Sequence, residues 1–112
     1  MPVIDITTFD ELKQMSGAEF INELIDTFLE DAPNLIEEIK SALTTNNVDS
    51  FRRAAHSLKS NAATFGAETL ASLAKDLEML GKENKLLETG DRLRALEEAY
   101  ESVRRELREL KS

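Results

Sequence analysis

The residue best suited to chemistry in this 112-residue sequence is His56, its only histidine. If the surrounding segment is a helix that turns about 100° per residue, its apolar residues fall within an arc of roughly 80°. They are Phe51, Ala55, Leu58, Ala62 and Phe65. His56 lies roughly 140° from the middle of that stripe, which predicts a ring that faces solvent. An unprotonated imidazole nitrogen is a good nucleophile near neutral pH, because its reference pKa is about 6.5. This helical-wheel position argues against a buried histidine in the core. It leaves open the alternative that His56 is a surface histidine without a function.

The residues near His56 on the same helix carry positive charge. Arg52 and Arg53 precede it by one turn and Lys59 follows it by one turn. Residues 50–67 contain no acid, although the chain has 22 acidic residues. The pattern predicts a positive region on an acidic protein. Such cations should disfavour a charged imidazolium and leave the lone pair free. They could also hold a phosphate on the ring, since a charge-assisted hydrogen bond contributes about 1.5–3 kcal/mol.

The next turns of this helix carry short side chains. Ser60 and Ala63 follow His56 at positions i+4 and i+7, on the face of the ring. Nothing bulky therefore obstructs the approach of another protein. Access of this kind suits a group that is handed from one protein to another.

The bulk composition restricts the classes of function. The net charge is −8 and the pI is near 4.7, which argues against nucleic acid or an anionic membrane as a partner. Without cysteine the chain can form no disulfide and no thiolate metal site. No stretch approaches the roughly 20 apolar residues of a membrane helix, and the N-terminus does not resemble a signal peptide. We expect one cytoplasmic domain covering residues 1–112.

The apolar periodicity predicts helices along the whole chain. Thr7 or Thr8 should cap a short first helix that ends near Met15, before a break at Ser16-Gly17. A second helix should begin at Ala18. Pro33 either kinks that helix or starts a new one capped by Asp31.

Turn residues at 44–47 separate this region from the histidine helix. That helix should run from Val48 or Asp49 to Phe65, with Gly66 as a left-handed cap. A further helix should span 67–80 and end at Gly81. The last should begin near Lys85 or only after Gly90. Short connections between long amphipathic helices predict an all-α, antiparallel up-down four-helix bundle with a short extra N-terminal helix.

Residues 55–67 (AHSLKSNAATFGA) closely resemble the signature of histidine-containing phosphotransfer (HPt) domains of multistep two-component phosphorelays. That signature is roughly His-x-Leu-Lys-Gly/Ser-x-small-x-x-x-Gly. Residues 28–33 and 73–81 also look like the corresponding parts of bacterial members. The resemblance implies that His56 is the phosphoacceptor and that Lys59 contacts the phosphoryl group. Ser60 stands where many members have glycine, and Gly66 matches the family glycine that turns the chain out of the histidine helix.

The resemblance further implies a phosphocarrier without ATP-dependent kinase activity of its own. His56 would accept a phosphoryl group from the aspartyl phosphate of a receiver domain and pass it to another receiver. The expected partners are response-regulator receivers and a hybrid sensor histidine kinase, and the chain itself is expected to be a monomer. The receiver would supply Mg²⁺, so no cofactor or metal ligand is expected in this chain. The sequence also lacks a Gly-rich phosphate loop.

A docking surface should accompany the histidine. The stripe on the second helix is two residues wide at each turn and comprises Phe20, Ile21, Leu24, Ile25, Phe28 and Leu29. We expect one edge, with Phe20, Leu24 and Phe28, to stay partly exposed and to bind a receiver together with Arg52, Arg53, Ser60 and Ala63. The alternative that all six stripe residues belong to the core stays open.

Other functions explain the residues less well. An adaptor could use the same bundle to bind receivers or kinases without carrying phosphate, but the chain keeps both His56 and Lys59. A metal-binding bundle would need more than one histidine, and nearby cations repel a metal ion. A purely structural helical domain gives no reason for the positive region.

Overall fold

The computed structural model describes residues 3–111 and consists of helices joined by short turns. Met1, Pro2 and Ser112, which belong to the predicted domain, lie outside the described residues. The helices are α1 (Ile6–Ser16), α2 (Ala18–Thr45), α3 (Val48–Thr64), α4 (Glu68–Lys82) and α5 (Arg92–Leu110), with a 3₁₀ turn at Leu86–Glu88. Helices α2–α5 form the predicted antiparallel bundle, and α1 is the short extra helix. Residues 3–111 contain no strand.

Helix α1 begins two or three residues earlier than predicted because Asp5 caps it. The Asp5 carboxylate accepts hydrogen bonds from the backbone N–H groups of Thr7 (3.0 Å) and Thr8 (3.4 Å), so the prediction of a threonine cap was wrong. An aspartate carboxylate caps at least as well as a threonine hydroxyl. Gly17, with φ +90°, ends α1 at the predicted break. The Asp5 N–H also donates to the Gly66 carbonyl (2.9 Å), which ties α1 to the α3–α4 turn.

Helix α2 runs through Pro33 without interruption. Proline lacks an N–H, so this helix forgoes one backbone hydrogen bond, to the carbonyl of Leu29. Buried residues continue in one stripe on both sides of the proline, and this packing holds the two halves together. They are Ile21, Ile25, Phe28, Ala32, Ile36, Ile39 and Ala42. Of the two alternatives for Pro33, a new helix capped by Asp31 is excluded.

The histidine helix lies within the bundle as its periodicity predicts. The five residues of its predicted apolar stripe are at most 4% exposed: Phe51, Ala55, Leu58, Ala62 and Phe65. Gly66 then turns the chain with φ +78°, and a Cβ at this position would lie 2.9 Å from the Asp5 carbonyl oxygen. Glycine is required there for both its backbone angle and its small size.

Helix α4 extends one residue past Gly81, and α5 starts only after Gly90, at Arg92. The second of the two predicted starts for the last helix is therefore correct. The chain between the two helices uses the 3₁₀ turn, where Leu86 is buried (4% exposed) against the end of the bundle. No helix within the described range has the length and apolar character that crossing a bilayer requires.

Candidate functional site

His56 lies in the middle of α3 and its side chain is 55% exposed. The ring is thus directed away from the core stripe of its own helix, as the wheel predicts. Ser60 and Ala63, on the following turns, are also exposed. The surface beside the imidazole on this helix is open and built of short side chains.

A buried glutamate from the neighbouring helix holds the ring. The Nδ1 atom of His56 lies 2.7 Å from Oε2 of Glu78, whose side chain is only 4% exposed. Lys59 Nζ donates a hydrogen bond to the other oxygen, Oε1, also at 2.7 Å. The Nζ of Lys82 lies 3.8 Å from Oε2. One carboxylate on α4 therefore connects the predicted nucleophile to the predicted phosphoryl contact on α3.

The ionisation state of Glu78 decides which ring nitrogen carries the proton. Burial raises the pKa of Glu78, but the hydrogen bonds from Lys59 and His56 outweigh burial and leave the pKa below its ordinary value. At neutral pH the carboxylate is ionised and can only accept hydrogen bonds. The Nδ1 atom of His56 must then carry a hydrogen and donate it. In a neutral ring this leaves the lone pair on Nε2, which has no hydrogen-bond partner within residues 3–111.

The cations around His56 are paired with two acids, which the linear pattern did not predict, although two cations share each acid. Arg52 and Arg53 bind the two oxygens of Asp49 at 2.9 and 3.0 Å, and Lys59 binds Glu78. The hydrogen bond from Arg52, together with the charge of Arg53, holds the pKa of Asp49 below its usual range. The acid-free stretch is a property of the linear sequence: Asp49 stands just before it, and Glu78 reaches it from another helix.

The arginine pairs are nonetheless weak enough to exchange. The side chains of Arg52, Arg53 and Asp49 are 37%, 67% and 62% exposed. Exposed ion pairs contribute little to stability, because water and salt screen them. Both guanidinium groups can therefore leave Asp49 for an anionic partner at small cost.

The predicted docking residues on α2 divide into two groups. Phe20 is 50% exposed and Leu24 is half-buried. Phe28 is 3% exposed, and its ring packs against Phe65 and Tyr100 at centroid distances of 5.3 and 6.2 Å. Phe28 belongs to the core, so its assignment as an exposed docking residue was wrong.

A cleft of about 140 Å³ separates α2 from α3 beyond the histidine. Phe28 forms part of its wall. The other lining residues are Leu24, Thr27, Asp31, Asn61, Thr64 and Phe65. The cleft joins the exposed edge of α2 to the outer face of α3.

Within residues 3–111, no three His, Cys, Asp or Glu side chains come together to hold a metal ion.

Glu78 is the residue of this site that the sequence reasoning missed as a functional group. On a helical wheel it falls at the edge of the apolar stripe of α4, four residues after Ala74 and three before Gly81. An acid in that position is a signal, because a buried carboxylate needs partners. The partners themselves come from another helix, which the pattern of one helix cannot identify.

Comparison with known proteins gives consistent matches. The family model of the Hpt domain matches residues 23–106. The sensor protein TorS of Escherichia coli K12 is 32% identical over 75 residues, which are 67% of this chain and 8% of that protein. This chain therefore spans only a small part of TorS.

The phosphorelay protein LuxU of Vibrio vulnificus YJ016 is 26% identical over 107 residues, covering 89% of this chain and 93% of LuxU. Among solved structures, histidine-containing phosphotransfer protein B (HptB) of Pseudomonas aeruginosa PAO1 superimposes with a TM-score of 0.92. It covers 98% of this chain and 95% of the other at 24% identity, so this match concerns the fold.

Proposed function

This chain belongs to the Hpt domain family, and from that premise we propose that it carries phosphate between receiver domains on Nε2 of His56. The family match and the likeness to a phosphorelay protein support a role in histidine phosphotransfer. One observation carries the assignment of the atom. A solvent-exposed imidazole has its Nδ1 bound at 2.7 Å to a buried carboxylate, which leaves Nε2 as the available nucleophile.

In the first transfer the lone pair of Nε2 forms an N–P bond as the bond between phosphorus and the receiver's aspartyl oxygen breaks. The aspartate leaves as a carboxylate. The ring becomes an N-phosphoimidazolium, with its proton still on Nδ1 and Glu78 as the compensating negative charge. In the second transfer the N–P bond breaks, the electron pair returns to Nε2, and the ring leaves as a neutral imidazole. No proton has to move in either step.

The remaining groups act by position and charge. Lys59 lies one turn from His56 with its side chain 28% exposed, so its ammonium can turn from Glu78 toward a phosphoryl group on the ring. In-line phosphoryl transfer depends mainly on such positioning and charge stabilisation. The partner receiver supplies Mg²⁺ in this scheme, and this chain acts as a phosphocarrier without its own ATP chemistry. The donor side of the relay would be a hybrid sensor histidine kinase.

The docking surface extends from His56 toward the start of α2. Thr64 follows His56 by eight residues, or about 12 Å along α3 at about 1.5 Å per residue. Leu24 meets Thr64 across the cleft, and Phe20 lies one turn, or about 6 Å, further along α2. A standard interface of about 800 Å² per partner corresponds to a disc of about 16 Å radius. A receiver centred on His56 would therefore cover Ser60 and Ala63 and reach Leu24, whereas Phe20, about 18 Å away along the helices, lies just outside a disc of that radius.

The proposal is tested by incubation with a panel of receiver domains phosphorylated on aspartate. We expect acid-labile label on this chain, and we expect His56→Gln to abolish it while circular dichroism shows an intact bundle, because the ring is exposed. Ser57→Ala, on the adjacent exposed position, is the matched control and should retain the label. Label that persists in His56→Gln, or absence of transfer from every receiver, would contradict the proposal.

A further inference from the structure

Helices α3 and α4 are in close contact at a point one turn from the histidine. Gly81 follows Glu78 by three residues on α4, and Arg52 precedes His56 by four residues on α3. Because the two helices are antiparallel neighbours, the contact between Gly81 and Arg52 is the next contact along the interface from the His56–Glu78 pair. The spacing of the helices at Gly81 therefore also sets their spacing at the carboxylate.

Gly81 has no side chain because Arg52 occupies the space. A Cβ at Gly81 would lie 2.9 Å from the Arg52 Cβ, 3.1 Å from its Cα and 3.3 Å from its backbone nitrogen. These are main-chain atoms and the first side-chain atom, which cannot rotate away. The other three glycines of residues 3–111 have positive φ, whereas Gly81 does not, so its backbone angle does not demand glycine. Glycine is a poor residue for a helix interior, and close packing is the gain that offsets this.

We propose that Gly81 is a positioning residue for phosphotransfer, since it brings α4 near enough for Glu78 to fix the proton of His56 on Nδ1. This inference rests on the proposed function of His56. Carbon atoms pack at about 3.5–4.0 Å, so a methyl group at Gly81 would separate the helices locally by about 0.6–1.1 Å. A hydrogen bond of 2.7 Å lengthened by that amount exceeds the usual limit of about 3.2 Å. Both hydrogen bonds of Glu78 run to α3, from His56 and from Lys59, so a separation of the two helices stretches both of them.

The test is Gly81→Ala, with nitrogen NMR of the imidazole as the readout. His56 is the only histidine, so the ring gives a single set of signals. We expect the wild-type protein to show the Nδ1–H tautomer and Gly81→Ala to show a mixture of both tautomers, with faster exchange of the Nδ1 proton. Phosphorylation by the small donor phosphoramidate should slow in proportion to the fraction of rings that lose the free Nε2 lone pair, about twofold for an equal mixture of tautomers. Ser72→Ala, on the exposed face of α4, controls for the added helix propensity and should keep wild-type ring signals.

A second variant covers the case in which Gly81→Ala does not fold. Glu78→Asp keeps the charge and leaves the helix contact unchanged, but shortens the reach of the carboxylate by one methylene, and it should shift the tautomer in the same direction. Wild-type ring signals in folded Gly81→Ala, or in Glu78→Asp, would overturn the inference. The NMR signals of the imidazole are measured without a receiver domain, so they test the inference separately from the proposed function. If instead the wild-type protein shows the Nδ1–H tautomer but takes no phosphate from any receiver, the proposed function fails, and only the control of the ring proton by Gly81 and Glu78 stands.

Discussion

Replacing Glu78 by glutamine should transfer the proton of His56 from Nδ1 to Nε2. The amide has the shape of the carboxylate, but one of its two ends is now a donor. The ammonium of Lys59 is charged and lies 2.7 Å from Oε1, so it should attract the amide oxygen. The amide NH₂ then points at Nδ1, which must become an acceptor, and the ring proton is moved to the nucleophilic nitrogen.

The size of the effect follows from the hydrogen bond that is lost. A hydrogen bond to a charged group contributes about 1.5–3 kcal/mol. Every 1.36 kcal/mol corresponds to about tenfold in an equilibrium or a rate. The ratio of the Nδ1–H to the Nε2–H tautomer should therefore fall by about 10- to 150-fold, and the initial rate of phosphorylation should fall with the fraction of rings that keep a free Nε2 lone pair.

The assay combines the ring nitrogen signals of the sole histidine with the rate of transfer from a phosphorylated receiver. A double variant makes the reasoning sharper. With Lys59→Ala present as well, nothing holds the amide oxygen away from the ring, so the oxygen can turn to accept from Nδ1 and the original tautomer should return. The two substitutions should therefore be strongly non-additive in their effect on the tautomer.

Two results would refute this reasoning. The first is a Glu78→Gln protein whose ring keeps the Nδ1–H tautomer, which would mean that Lys59 turns into solvent and leaves the amide oxygen to His56. The second is a shifted tautomer with an unchanged rate of transfer, which would separate the ring proton from the chemistry.

Three further predictions concern the same site. Lys59→Ala alone should slow transfer without abolishing it, because one solvent-screened contact is modest beside the nucleophile, and wild-type rates would show that Lys59 takes no part. Ser60→Trp should block transfer from receivers but leave the melting temperature and the phosphoramidate reaction unchanged; unaltered receiver transfer would refute the steric argument. The pKa of Glu78 is lowered from its ordinary value of 4.5, so its contribution to stability is present above about that pH and is lost as the pH falls through the folded value. The difference in unfolding free energy between wild type and Glu78→Gln, measured by urea titration, should therefore shrink below pH 4.5, and a constant difference would contradict the pKa direction.

Local patterns were sufficient to predict the helices, because the spacing of the apolar residues in each helix shows which of its faces is buried. The stripe on α3 identified the core residues and the exposure of His56 together. The errors concern choices between near neighbours or between alternatives of similar energy. Asp5 rather than a threonine caps α1, and α2 continues through Pro33, because packing of residues before and after the proline outweighs one missing hydrogen bond.

The docking edge of α2 was harder to predict, since a stripe two residues wide does not say which side meets another helix. The structure places Phe20 at the surface and Phe28 against Phe65 and Tyr100. The two phenylalanines are eight residues apart, which places them about 80° from each other around α2. Their exposures differ because Phe28 falls within the buried face of α2, whereas Phe20 lies to one side of it.

The chemistry of the site depends on a contact that no single helix encodes. A histidine on α3 with cations around it predicts a free lone pair by repulsion, whereas the structure supplies a carboxylate that selects the nitrogen. The carboxylate favours phosphotransfer more than the cations do. The phosphorylated imidazolium ring is positive, so a neighbouring cation would repel the ring, whereas the negative charge of Glu78 balances it. The negative charge must also be kept from the incoming phosphate. Burial to 4% exposure, with Lys59 on the second oxygen, places the carboxylate behind the ring and leaves the outward edge of the imidazole for the partner.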